Sequence, residues 1–132
     1  MLLFFYFWLS TQSMNIQINN IQTGHGQVLV AVYQQAEGFM SVDKAIFKQA
    51  YPITKKGAIS IDLPELAEGN YAISCFHDLN NNGVLDKNML GIPTEPYGFS
   101  QGIRPKFRAP TWDEAKFKYK KGGQVGIWLE KW

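Results

Sequence analysis

Gln27-Val28-Leu29-Val30-Ala31-Val32-Tyr33 places three valines at every second position, with Gln27, Leu29, Ala31 and Tyr33 between them. Successive side chains of a strand point to opposite faces, so this spacing predicts a strand with Val28, Val30 and Val32 on one side. The same period returns along the chain. Ile16 and Ile18 stand between Asn15, Gln17 and Asn19, and Ile59, Ile61 and Leu63 follow the Lys55-Lys56-Gly57 turn. Tyr71, Ile73 and Cys75 alternate with Ala72, Ser74 and Phe76, and Val125, Ile127 and Leu129 follow Gly122-Gly123. Phe117 and Tyr119 lie between Lys116, Lys118 and Lys120, the pattern of a strand with its apolar side in and its lysines out. Strands at this spacing, separated by Gly and Pro turns, predict an all-β chain. The expected architecture is a single antiparallel β-sandwich, Ig-like or prealbumin-like, of about seven strands.

Two stretches depart from that period. In Ser41 to Ala50, Val42, Ala45 and Ile46 fall at helical spacing behind a capping Ser41, which predicts a short helix or helical turn. Thr111-Trp112-Asp113-Glu114-Ala115 reads as one helical turn capped by Thr111 after Pro110. No internal repeat or linker appears, so residues 14–132 are expected to form one domain.

Leu2 to Leu9 reads Leu-Leu-Phe-Phe-Tyr-Phe-Trp-Leu and is followed at once by Ser10-Thr11-Gln12-Ser13. A short apolar run before small polar residues matches the hydrophobic core of a secretory signal, with residues 1–13 removed on export. No Lys or Arg precedes the run, and a buried first strand or a start-site artefact are the alternatives. No stretch reaches the roughly 20 apolar residues that span a bilayer. One cysteine, Cys75, excludes a disulfide-stapled fold. Its mid-strand place predicts a buried, inert thiol.

Basic and acidic residues nearly balance at 13 and 11, which argues against a nucleic-acid partner. They are unevenly placed, because eight of the 13 basic residues and three of the 11 acidic ones lie from Arg104 onward. Lysines alternating along a strand read first as a solvated or edge-protecting face, and second as a patch for anionic glycan or lipid.

The segment with the most chemistry in it is Asp78-Leu79-Asn80-Asn81-Asn82-Gly83-Val84-Leu85-Asp86. Asp78, Asn80 and Asn82 occupy alternate positions of a D-x-N-x-N-G loop, and Gly83 stands where such loops turn sharply. Val84 offers a backbone carbonyl, and Asp86 stands two residues further on. Hard oxygen donors at this spacing suit Ca²⁺ better than Mg²⁺, which demands a tighter octahedron and keeps its waters. The place of the closing bidentate Glu is taken by Met89. Two carboxylates predict a weak site, with a dissociation constant of ~10⁻⁴–10⁻³ M, unless Asp62, Glu65 or Glu95 folds in. The alternative is a metal-free hairpin of Asx-turns with Gly83 in the left-handed region.

Several stretches resemble the DUF2141 family of small exported bacterial proteins. They are Gly69-Asn70-Tyr71-Ala72-Ile73 running into Asp78-Leu79-Asn80-Asn81-Asn82-Gly83, Leu90-Gly91-Ile92-Pro93-Thr94-Glu95-Pro96-Tyr97-Gly98-Phe99-Ser100, and Arg108-Ala109-Pro110-Thr111-Trp112-Asp113-Glu114-Ala115. The resemblance runs from about Ile16 to Leu129. It implies a signal peptide and a periplasmic or surface location, and it brings no activity or catalytic residue. Leu63-Pro64 through Tyr71 is more loosely similar to prealbumin-like sandwich modules. Within Gly91 to Ser100, Glu95, Tyr97 and Phe99, joined by Trp112, are candidates for a peptide- or sugar-recognition loop, and equally for packing that closes one end of the sandwich.

No nucleophile, dinucleotide, P-loop or zinc-protease motif is present. His25 and His77 join no triad pattern, and nothing local brings Glu95 to Asp113. The expected role is therefore non-catalytic: a monomeric binding or interaction module meeting a protein or glycan at the cell envelope. A carbohydrate-binding module is the second reading and a small hydrolase the third.

Overall fold

The computed structural model describes residues 2–4 and 13–132. The expected signal peptide, 1–13, therefore lies for the most part outside the described residues. The described residues form eight strands: β1 (Asn15–Ile21), β2 (Gln27–Tyr33), β3 (Phe47–Pro52), β4 (Gly57–Asp62), β5 (Gly69–Asp78), β6 (Tyr97–Phe99), β7 (Phe117–Tyr119) and β8 (Gln124–Trp128). A single helical turn, α1 (Trp112–Ala115), precedes β7. The fold is all-β and sandwich-like. One sheet has the order β4-β1-β8, and the other runs β3-β2-β5-β6 with β7 paired to the start of β5. No helix among the described residues is long and apolar enough to cross a membrane.

The alternating residues meet between the sheets. Ile16, Ile18, Val28, Val30, Val32, Ile73 and Ile127 are all buried in one core. Met14 joins them with no exposed surface. Lys116, Lys118 and Lys120 face solvent while Tyr119 faces the core. Tyr71 Oη donates to the Ala67 carbonyl at 2.6 Å, tying the entrance of β5 to the turn before it, as tyrosine corners of such sandwiches do. Cys75 is buried, and that burial pushes its thiol up, away from the thiolate form.

The structure corrects the expected architecture in two places. First, the sandwich is not wholly antiparallel, because β1 and β8 pair in parallel, Ile16 opposite Val125 and Ile18 opposite Ile127. Alternation tells which face a strand buries and is silent on its neighbour's direction. The chain crosses between sheets after β7, and that crossing decides how β8 lies. Second, the helical turn expected in Ser41 to Ala50 is present as a 3-10 turn at Val42–Lys44 but does not extend further, since residues 47–50 belong to β3. Ser41 makes no side-chain cap, and Val42 and Ile46 are exposed, so no apolar helical face forms. Pairing with β2, Val32 opposite Phe47, wins over the local spacing.

Candidate metal centre

Asp78 ends β5 opposite Gln27 of β2. It is fully buried. Its Oδ2 accepts from Gly83 N at 2.8 Å and from Gln27 Nε2 at 2.8 Å, and its Oδ1 accepts from Asn82 N at 3.2 Å. A carboxylate gripping amide groups four and five residues ahead bends the chain back on itself, and Gly83 at φ 80 supplies the turn. Asn80 and Asn82 form successive Asx-turns, Asn80 Oδ1 accepting from Asn82 N at 3.4 Å and Asn82 Oδ1 from Val84 N at 3.1 Å. Their Nδ2 groups both donate to Asp86, at 2.7 Å each, and so draw its carboxylate over the loop. Asp78, Asn80, Asn82 and Asp86 thus share one hydrogen-bonded cluster. Val84 enters through its backbone, and its side chain is exposed.

Of the three acids that spacing alone leaves unranked, only Glu95 folds in. It is 4% exposed. Its Oε2 accepts from Leu79 N at 2.7 Å and its Oε1 from Asp86 N at 2.9 Å, joining the two ends of the loop. Asp62 instead accepts from Asn15 at 2.9 Å, and Glu65 stands 3.7 Å from Lys121. Three carboxylates therefore gather at this loop, and no ion pair among the described residues involves any of them. Their oxygens are turned toward N–H groups. Among the described residues no group of three or more His, Cys, Asp or Glu side chains is spaced to hold a metal ion.

Gln27 and Thr94 were beyond reach of sequence reasoning. Gln27 anchors Asp78 only because β2 and β5 pair in this register. Thr94 holds the Asp86 carbonyl through both its N–H, at 2.9 Å, and its hydroxyl, at 3.2 Å.

The candidate recognition residues are mostly turned inward. Tyr97 and Phe99 are buried, their rings 5.8 Å apart edge to face. The Arg104 guanidinium covers the Tyr97 ring at 4.2 Å and donates to the carbonyls of Tyr97 (2.6 Å) and Glu130 (2.7 Å). Trp112 is half-buried against Phe39. With Glu95 turned into the Asp78–Asp86 loop, these residues form packing and not a shared stacking face. Bulky aromatics in a short strand beside the core are worth more buried than displayed. Asp113 is exposed and paired to Lys116 at 2.8 Å, so it forms no couple with buried Glu95.

His77 is fully buried, and its Nε2 donates to the His25 carbonyl at 2.7 Å. It lines a cavity of about 490 Å³ with Thr23, Asn20, Gln22, Glu130 and Lys131. Among the described residues Thr23 Oγ1 and His77 Nδ1 both lack a hydrogen-bond partner, so the two do not form a nucleophile–base pair.

No curated protein and no solved structure matches the chain. The family model described as an uncharacterized protein conserved in bacteria (DUF2141) matches residues 16–126, from β1 into β8 and across the whole Asp78–Asp86 loop, and the chain belongs to that family.

Proposed function

We propose that this protein is an exported, non-catalytic β-sandwich serving as a binding or interaction module at the cell envelope, with a loop that takes Ca²⁺ weakly. The observation that carries the metal reading is the gathering of Asp78, Asp86 and buried Glu95 at one loop, with none of them in an ion pair among the described residues. Every side-chain donor there is an oxygen or can present one, the hard set that Ca²⁺ prefers. The amide groups of Asn80 and Asn82 now offer Nδ2 to Asp86. Rotation of each amide would replace a donor by an oxygen, and the Asx-turn bond holding Asn80, at 3.4 Å, is long, while that holding Asn82, at 3.1 Å, is ordinary. Export rests on the apolar run Leu2 to Leu9 before Ser10-Thr11-Gln12-Ser13.

Thermal unfolding in millimolar CaCl₂ against EDTA tests the metal. An ion that binds only the folded state, at tenfold its dissociation constant, adds about 1.4 kcal/mol, a rise of several degrees in Tm. The rise is expected with Ca²⁺, smaller with Mg²⁺, and lost in Asp86→Asn. Asp86 is partly exposed, so this variant folds where Asp78→Ala risks not doing so. No rise in the intact protein, or one that persists in Asp86→Asn, refutes the site.

A further inference from the structure

The turn Asn88–Gly91 is held by more hydrogen bonds than its exposed position requires. Asn88 N donates to the Ile92 carbonyl at 2.9 Å, and Gly91 N to the Asn88 carbonyl at 3.0 Å. Asn88 Oδ1 accepts from Leu90 N at 2.8 Å and Ile92 N at 3.1 Å. What this ordered turn presents at its apex is apolar: Met89 is 103% exposed and Leu90 83%. Leu90 lines a groove of about 340 Å³ together with Phe107 and Trp132. Phe107 is 85% exposed and sits at φ 66, a left-handed conformation unfavourable for a bulky aromatic. A left-handed conformation at an exposed aromatic points to use rather than to packing. The Phe107 and Trp132 rings meet at 5.5 Å, and Lys106 Nζ lies 5.2 Å from the Trp132 ring.

The charged side chains lining the groove are Lys87 and Arg108, with no acid. Arg108 is bound to Glu114, whereas among the described residues neither Lys87 nor Lys106 joins an ion pair. The face therefore combines projecting apolar side chains, an amphipathic Trp and unneutralised lysines. A protein partner would have to supply a shape complementary to these knobs. A bilayer interface needs none, accepts single apolar side chains below its headgroups, and attracts lysines when its lipids are anionic.

We propose that this face docks the protein reversibly onto an anionic lipid bilayer, with Met89, Leu90 and Phe107 entering the interfacial layer and Lys87 and Lys106 meeting headgroup phosphates. The envelope setting comes from the export reading above, and the docking itself needs no metal.

Flotation of the full chain in EDTA tests it, using vesicles of equal parts phosphatidylglycerol and phosphatidylcholine against phosphatidylcholine alone. Binding is expected to the mixed vesicles only, and to weaken with salt. The double variant Leu90→Ser/Phe107→Ser is expected to lose at least tenfold in binding. Lys87→Gln/Lys106→Gln should lose about fivefold per lysine. All four side chains are exposed, so Tm should hold, and the calcium-dependent rise in Tm, read on the same variants, should be unchanged. Equal binding to both vesicles, or binding that survives Leu90→Ser/Phe107→Ser and so belongs to the apolar run Leu2 to Leu9, overturns the proposal. So does an absence of vesicle binding, or a concentration-dependent dimer that the same double variant abolishes.

Discussion

Glu95 shows how much one side chain can hold. Spacing along the chain leaves it level with Asp62 and Glu65, because the three acids differ only in where the fold carries them. Once β6 pairs with β5, Glu95 is delivered to the loop, and its two oxygens take the amide groups of Leu79 and Asp86. Removing a buried acceptor leaves its donors unsatisfied, which costs about 1–3 kcal/mol. Urea denaturation of Glu95→Ala is expected to show a loss in that range, and Glu95→Gln a smaller one, since the amide keeps one acceptor oxygen. Equal stability in all three proteins would mean that water replaces these bonds without cost. Cys75 sits at the other extreme, since its period-two position already told that it would be buried and inert.

At the scale of an element, α1 is a single turn that no packing argument would sustain alone, and its capping explains it. Thr111 Oγ1 accepts from Glu114 N at 3.3 Å while Glu114 Oε1 accepts from Thr111 N at 2.9 Å, a reciprocal capping box. Arg108 grips the same carboxylate at 2.6 and 3.0 Å. The Arg108 hydrogen bonds first, then the Thr111 amide, hold Glu114 down to about 2 from its ordinary 4.5. A carboxyl depressed in the folded state stabilises above its unfolded pKa and loses that contribution as pH falls toward its folded one. The contribution is therefore complete above about pH 4.5 and is lost between there and pH 2. It is small, because the pair is solvent-exposed. A carboxyl titration followed by NMR should place the Glu114 midpoint near 2 and move it upward in Arg108→Ala; an unmoved midpoint would remove Arg108 from the account. Thr111 after Pro110 made this turn legible in the sequence, and the structure adds Glu114 as the other half of the box. In Ser41 to Ala50 the equivalent position holds Lys44, no capping bond forms, and the stretch yields to β3.

In the whole molecule, closure depends on how near the sheets come. Gly98 in β6 has an ordinary backbone, yet a β carbon there would collide with the Trp128 carbonyl and meet the Ile127 side chain. Gly98→Ala is expected to cost about 1–3 kcal/mol, as overpacking does, read as a lower urea midpoint with an unchanged m-value. An unchanged midpoint would show that β8 can retreat from β6 freely. The same closure makes the first strand neighbour to the last, Ile18 beside Ile127, although no local signal joins them. The exposed apolar face is of this kind as well. Leu90, Phe107 and Trp132 are remote in the chain, and only the assembled loops bring them to one groove. The amino-acid order alone determined the all-β class, the buried face of each main strand, the α1 turn and the polar residues of the loop, because alternation, capping and turn chemistry act over a few residues. The tertiary structure decided the parallel β1–β8 pair, the conversion of residues 47–50 to strand, the arrival of Glu95 at the loop and the burial of Tyr97 and Phe99. Those follow from which distant segments pair, and that is set by collective burial and register across the whole core.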